Sequence, residues 1–356
     1  MQLNVLVLPG DGIGTEVTRE AVRVLERVAS RFSHSLKLTG GLLGGVAIHK
    51  TGTPFPDATA ALAQDADATL LGAVGLPEFD NAPPSQRPER GLLGIRAALG
   101  VYANLRPVRT YAALIDSSPL KNHLVEGTDM IIVRELTGGI YYGTPRGIEG
   151  DSAVNTMAYS RPEIDRIARM AFELASKRRK KVASVDKSNV LECSQLWRKV
   201  VTEVAADYPD VELEHILVDN CAMQLVLNPR RFDVVVTENM FGDILSDEGA
   251  VLAGSIGMLP SASIGGKKPS GAWVGLYEPV HGSAPDIAGQ NKANPLGAIG
   301  SVAAMLEYSF GLLDEAKAVT AAMETVLNSG RVTADLKPAG PPATTEQVGQ
   351  AVCDAI

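Results

Sequence analysis

The chain has 356 residues, of which 45% are hydrophobic and 21% charged, and a formal net charge of −8. That length exceeds the size at which one core keeps growing, so two lobes are the default for a soluble globular protein. The acidic balance leaves no dominant basic face for nucleic acid, and Gly, Pro or charge interrupts every apolar run before it reaches a membrane span.

The opening MQLNVLVLPG lacks the cationic flank and cleavage site of a signal peptide and reads as a strand over 4–8. GDGIG (10–14) lacks GxGxxG spacing and is taken as a tight turn into an amphipathic helix over 14–30. A strand is expected at 68–72, and a helix-to-strand passage begins at Arg96 and ends at 102–105. Further apolar runs of strand length lie at 129–133, 181–185, 214–218 and 233–237, usually followed by helical periodicity. The alternation predicts an α/β protein with a largely parallel central sheet, whose ligands gather at the carboxyl ends of strands. Arg134, Asp186, Lys187, Asp219 and Glu238 all fall just past such ends.

The last third changes character. GGKKPSG (265–271) reads as a flexible loop and HGSAPDIAG (281–289) as a structured one, with two Ala-rich helices expected over 295–310 and 313–329. KRRKK (177–181) reads as a solvated helix end, where positive charge suits the C-terminal dipole. Cys193, Cys221 and Cys353 are odd in number and lack CxxC or Cys/His spacing, which predicts a reducing compartment and no structural zinc. The cytoplasm is the expected home, or an organelle matrix after removal of a targeting segment.

Three aspartates carry the first chemical signal. In a helix running from Gly242, Asp243 and Asp247 stack one turn apart on one face, an arrangement disfavoured unless a cation neutralises it. With Asp219 they make an all-oxygen set suited to Mg2+ or Mn2+, which polarises a hydroxyl or carbonyl oxygen. Taken alone, the acidic pair is also what the macrodipole favours at an ordinary helix start. Arg96, Arg106 and Arg134 each sit near an element boundary, and Pro107 is expected to end regular pairing and free Arg106 to point into a cleft. One such arginine is ordinarily structural; three beside an acidic cluster predict an anionic substrate with at least one carboxylate.

Tyr141 and Lys187 are the candidate proton carriers. A tyrosine after the Gly138-Gly139 pair is more often packing than catalysis. Lys187 directly follows an apolar strand, where partial burial near a cation favours its neutral form and a base role; a surface lysine in a turn is the competing reading. His281, Gly282, Ser283 and Ala284 offer backbone NH groups suited to phosphate, and Asp286 suits the two hydroxyls of an adenosine ribose. Its charge would repel a 2′-phosphate, which favours NAD over NADP.

These residues arrive in an order that resembles the β-decarboxylating dehydrogenases, the enzymes of isocitrate, homoisocitrate, tartrate/malate and 3-isopropylmalate. The matching stretches are RPERGLL (87–93), YANLRP (102–107), VRELTGGIY (133–141), SVDKSNVLE (184–192), VDN (218–220), FGDILSDE (241–248) and LYEPVHGSAPDIAG (276–289). Each is modest alone; the ordered set is specific. The resemblance implies a two-lobed fold rather than a standard Rossmann domain, with 1–101 and 254–356 forming the cofactor lobe and 102–253 the metal and dimerisation lobe. It also implies a homodimer with shared active sites. By that analogy Arg96, Arg106 and Arg134 bind the malate carboxylates, and Asp243 and Asp247 hold Mg2+ or Mn2+ with Asp219 from the partner. Lys187, also from the partner, deprotonates the 2-hydroxyl, and Tyr141 protonates the enol carbon after CO2 leaves. The implied NAD site takes in Gly75, Glu89, Ile287 and Asn294 beside the 281–286 loop.

Substrate choice within the family depends on what faces the C3 substituent. Leu92, Leu93 and Val190 form an apolar trio that suits an isopropyl group and would leave an extra carboxylate desolvated and unpartnered. The branch acting on 3-isopropylmalate, in leucine biosynthesis, is therefore expected, and a tartrate/D-malate or other alkylmalate dehydrogenase is the alternative. Core packing of Leu92 and Leu93 would be the better reading without the surrounding motif. A noncatalytic regulatory subunit is disfavoured, because Tyr141, Lys187 and all three aspartates are present. Three departures stand out: LPEF (76–79) in place of the common GPKW, a long 265–273 segment, and LGAIG (296–300), whose two glycines would each cost a helix about 1 kcal/mol.

Overall fold

The computed structural model describes residues 1–83, 86–252, 254–268 and 272–356. In chain order, Gln2–Gly10 (β1), Gly14–Arg31 (α1), Ser35–Gly40 (β2), Gly45–Thr51 (α2), Asp57–Asp65 (α3), Ala68–Ala73 (β3) and Glu89–Leu99 (α4) come first. Next are Ala103–Arg109 (β4), Asn122–Val125 (α5), Asp129–Glu135 (β5), the hairpin of Arg146–Glu149 (β6) and Ser152–Asn155 (β7), and Arg161–Ser176 (α6). Lys181–Asp186 (β8), Glu192–Ala205 (α7), Glu212–Leu217 (β9), Val218–Leu227 (α8), Val234–Thr237 (β10) and Asn239–Leu252 (α9) follow. Pro260–Lys267 (β11), Trp273–Pro279 (β12), Leu296–Tyr308 (α10), Leu313–Asn328 (α11) and Thr345–Ala355 (α12) close the chain.

Two compact units result. One combines Met1–Val101 with Gly254–Ile356, and the other is Tyr102–Ala253. In the first, strands run in the order β2-β1-β3-β12-β11, all parallel except the β11–β12 pair. In the second the order is β4-β5-β10-β8-β9, with only β4 antiparallel to its neighbour. The architecture is α/β with mostly parallel strands. Parallel strands are covered by helices on both faces and so read as continuous apolar runs. Leu3, Val5, Leu6 and Leu8 of β1 are all fully buried, as are Val234 and Val236 of β10. Helix α1 buries Val17, Ala21, Val24, Leu25 and Val28, spaced for one face of a helix.

Several expectations change. Pro107 does not end pairing, because β4 stays in register with β5 through Arg109. Thr110 N donates to Thr128 O, so the hydrogen-bonded pairs in this ladder are the alternate ones and Pro107 opposite Ile131 is not among them. The missing N–H therefore costs that ladder nothing. Val218 opens α8 rather than closing a strand, and Arg96 lies in the last turn of a helix that began at Glu89. Residues 265–267 belong to strand β11 rather than to a loop, and 269–271 lie outside the described residues.

The 177–181 run is also not simply solvated. Arg178 Nε donates to the buried Asp233 at 2.9 Å, and Arg179 lies 3.7 Å from the same carboxylate. The glycines of α10 have a packing reason. A Cβ at Gly297 would lie 2.9 Å from Gly257 O, and one at Gly300 3.2 Å from Pro260 side-chain carbons. Their lost helix propensity admits a close helix–backbone approach.

Candidate active site

The centre of the second unit is the start of α9. Glu238 follows β10, and its carboxylate accepts from Met240 N at 3.1 Å and Phe241 N at 2.7 Å. This acidic cap begins the helix at Asn239, ahead of Gly242. Asp243 and Asp247 therefore sit inside the helix, whose first turn holds no acid, and the macrodipole does not account for them. Arginines do. Arg134 Nη1 donates to Asp243; Arg106 Nη1 donates to Asp247 Oδ1 at 3.1 Å, and its Nη2 lies 3.9 Å from Asp243 Oδ1. Two stacked carboxylates are thus matched by two guanidinium groups on one helix face.

Arg106 is held in addition by Asn104 Oδ1 at 2.8 Å and Ser246 Oγ at 2.6 Å. Arg134 reaches α9 from β5, and the absence of a side chain at Gly242 lets its stem lie against the helix. Tyr141 stands in a short 3-10 turn, Gly139–Tyr141, and donates its hydroxyl to Asp243 Oδ2 at 3.1 Å. Its ring lies 6.0 Å from the Arg134 guanidinium. The side chain is 41% exposed, so packing does not explain its place. Burial, and then the Asp243 carboxylate, push its pKa above the ordinary phenol value. At neutral pH the group is a proton donor.

Lys187 and Asp219 form a second pair. Lys187 follows β8, Asp219 lies in the first turn of α8, and Lys187 Nζ donates to Asp219 Oδ1 at 2.6 Å. That hydrogen bond holds the Asp219 carboxyl below its ordinary value. Beside the pair, buried Asp186 takes a two-point contact from Arg198 at 2.9 and 3.0 Å, which anchors the end of β8. Val190, in the turn after Lys187, is 61% exposed.

Among the described residues no three His, Cys, Asp or Glu side chains could hold one metal ion. The meeting of Asp219 with Asp243 and Asp247 does not occur within one chain. Asp243 and Asp247 nevertheless fit a hard cation: both are carboxylates, one turn apart, with side chains 37% and 63% exposed. Magnesium is commonly held by one or two carboxylates with water completing its shell.

In the first unit Arg96 Nη2 donates to Glu278 at 2.7 Å, while its buried Nε has no partner. Leu92 packs on the core cluster of Leu6, Leu8, Leu71 and Ile95, whereas Leu93 is half-buried outside it. Gly75, Glu89 and Ser283 come together: a Cβ at Gly75 would lie 3.3 Å from Ser283 Oγ and 3.4 Å from Glu89 Oε1. This small cradle, with exposed Gly282 and Asp286 and half-buried Ala284 and Ile287, fits a nucleotide. The loop is braced from behind. Ile13 N donates to Ser283 O, and Glu16 accepts from Gly289 N and Asn291 N. His281 is buried with Nε2 unpartnered, and burial lowers its pKa. Asn294 turns inward, donating to Asp335 and accepting from Leu296 N. The LPEF departure forms its own turn, Pro77–Phe79, with Glu78 on His49 at 2.6 Å.

Sequence reasoning missed Asn104, Tyr159, Asn239 and Ser246, which orient the arginines or the cap. A buried asparagine or serine carries no pattern of its own.

The fold and this face define the class: an α/β protein with two units of mostly parallel strands, one of which carries a cluster of two aspartates, two arginines and a tyrosine. The sequence profile of the isocitrate/isopropylmalate dehydrogenase family matches residues 4–352, and the chain belongs to that family. It is 57% identical to 3-isopropylmalate dehydrogenase of Priestia megaterium (strain DSM 319 / IMG 1521), covering 100% of this chain and 96% of that one. It is 60% identical to the enzyme of the same name from Bacillus caldotenax, covering 88% and 84%. Among solved structures, isocitrate dehydrogenase from Methylococcus capsulatus superposes with a TM-score of 0.87 at 35% identity, covering 99% of both chains. The apo β-decarboxylating dehydrogenase of Thermococcus kodakarensis gives 0.81 at 36% identity, covering 99% and 96%.

Proposed function

We propose that this protein catalyses the NAD-dependent oxidative decarboxylation of 3-isopropylmalate to 4-methyl-2-oxopentanoate and CO2, a step of leucine biosynthesis. One observation carries the reading: Asp243 and Asp247 share a helix face with Arg106, Arg134 and Tyr141, in a chain 57–60% identical to proteins named for that substrate.

Arg106 and Arg134 bind the malate carboxylates. Asn104 and Ser246 orient the first and Asn239 the second, so little motion is left to freeze on binding. Arg96, Leu92, Leu93 and Val190 are assigned to the substrate by the family resemblance. Asp243 and Asp247 would hold Mg2+ or Mn2+, which when bound polarises the C2 oxygen. The 281–287 loop with Gly75 and Glu89 would hold NAD+, which when bound accepts hydride from C2, and exposed Asp286 would disfavour a 2′-phosphate.

Lys187 takes the proton of the 2-hydroxyl, directly or through water. Its hydrogen bond to Asp219 fixes Nζ for that task, and the proton it takes passes on to solvent. Once the C2 carbonyl has drawn off the electrons of the adjacent C–C bond and CO2 has left, Tyr141 gives its proton to C3. Its raised pKa keeps that proton in place beforehand.

A homodimer completes the reading. Met223, Val226 and Leu227 of α8 and Ile244 and Val251 of α9 are exposed apolar side chains on the helices that carry the aspartates. Covering them with a second copy would bring a second Asp219 and Lys187 to these helices. Among the described residues no helix is long and apolar enough to cross a membrane, and all three cysteines are unpaired, which suits a reducing compartment.

Initial rates with 3-isopropylmalate, D-malate, tartrate, isocitrate and homoisocitrate test the proposal. A clear kcat/KM advantage for 3-isopropylmalate is expected; equal rates with D-malate or tartrate would return the assignment to the wider family.

A further inference from the structure

Arg134 is gripped by a residue that no proton or hydride transfer involves. Its Nε and Nη2 donate to the same acceptor, Asn239 Oδ1, at 3.0 and 2.9 Å. That edge of a guanidinium normally meets a carboxylate in two-point fashion. Here a neutral amide occupies it, so the guanidinium plane is fixed without adding a second carboxylate to Asp243, which already pairs with Nη1. Asn239 is itself fixed. It is 1% exposed, its Nδ2 donates to Gly138 O at 3.2 Å, and its backbone N donates to Tyr159 Oη at 3.0 Å. The Gly138 carbonyl needs a donor, which sets the amide orientation and turns Oδ1 toward Arg134. Tyr159 in turn donates to Glu238 Oε2 at 3.0 Å.

We propose that Asn239 is the positioning residue for Arg134: a neutral fork that immobilises one edge of the guanidinium and leaves Nη1 to Asp243 and the incoming carboxylate. The proposal rests on the dicarboxylate reading given above and deepens it. Asn239 does not touch the reacting atoms. Its effect is to keep substrate affinity from being spent on ordering the arginine.

Two substitutions separate geometry from charge. Asn239→Ala removes the fork; Asn239→Asp keeps the shape and places a counter-charge on Arg134. Both are expected to raise KM for 3-isopropylmalate tenfold or more, with kcat within about threefold and KM for NAD within about twofold, the signature of lost uniform substrate binding. A purely structural role would instead lower the melting temperature and leave the KM ratio unchanged at temperatures well below melting.

A second readout needs no turnover. With phenylglyoxal as the arginine probe and peptide mapping by mass spectrometry, Arg134 in the parent should stay unmodified and become reactive in Asn239→Ala. Equal protection in both would overturn the fork, whatever the substrate. If the mapping shows release of Arg134 while the parent does not oxidise 3-isopropylmalate, the fork stands and the functional reading falls.

Discussion

Gly242→Ala sets two effects of known size against each other. Helix propensity alone favours alanine by about 1 kcal/mol in a helix interior. The added Cβ, however, would lie 2.6 Å from Arg134 Cγ, 2.8 Å from its Cβ and 3.2 Å from its Cδ. Relaxed carbon contacts are about 3.5–4.0 Å. Arg134 cannot swing aside, because its root is in β5, registered against Asn104 and Thr237, and its head is tied to Asn239 and Asp243. Overpacking of this kind costs about 1–3 kcal/mol, so the balance is a net destabilisation of about 1 kcal/mol. On the proposed function, displacing Arg134 would also weaken a charge-assisted contact to substrate, worth about 1.5–3 kcal/mol, or roughly a 10- to 100-fold rise in KM. Thermal unfolding and initial-rate kinetics on the same preparation read both numbers. A variant that melts higher than the parent with KM unchanged would refute the packing argument and the seat assigned to Arg134.

Lys187→Met should lower kcat by about 10²- to 10⁴-fold while KM for 3-isopropylmalate moves little, since the arginines remain; preserved kcat with a raised KM would contradict the base role. Because burial and Asp243 raise the Tyr141 pKa, its proton is retained above the ordinary phenol range near about pH 10. Deprotonation of Tyr141 should therefore not limit turnover until beyond that pH, and Tyr141→Phe should cut kcat by about 10²-fold or more at every pH; an alkaline loss below pH 9 that disappears in the phenylalanine variant would reverse the direction. Asp286→Lys should shift the NADP-to-NAD ratio of kcat/KM toward NADP, and an unchanged ratio would place the adenosine ribose elsewhere.

The parallel strands were readable because burial on two faces leaves nothing but apolar residues, as in VLVL (5–8) and VVVT (234–237). What resisted reading depends on partners distant in sequence. Glu238 moves the start of α9 forward by accepting two backbone N–H groups, which turns Asp243 and Asp247 from apparent helix-start acids into mid-helix partners of arginines. Pro107 looks like a strand end until its place in the β4–β5 ladder shows that its N–H was never needed there. The exposed β6–β7 hairpin has no buried face, so no hydrophobic alternation announces it. The chemistry-bearing residues were legible as types and spacings. The side chains that aim them, Asn104, Asn239, Ser246 and Tyr159, are polar residues whose meaning lies wholly in who they touch.

If a hard cation on Asp243 and Asp247 enables oxidation of a branched malate, the reaction must stop when the cation is removed. NADH formation from 3-isopropylmalate, followed before and after EDTA and again after adding Mn2+ or Mg2+, tests it most directly. EDTA should abolish the activity and either cation should restore it. Undiminished turnover in EDTA, with the metal content of the protein measured as negligible, would contradict the cation's role.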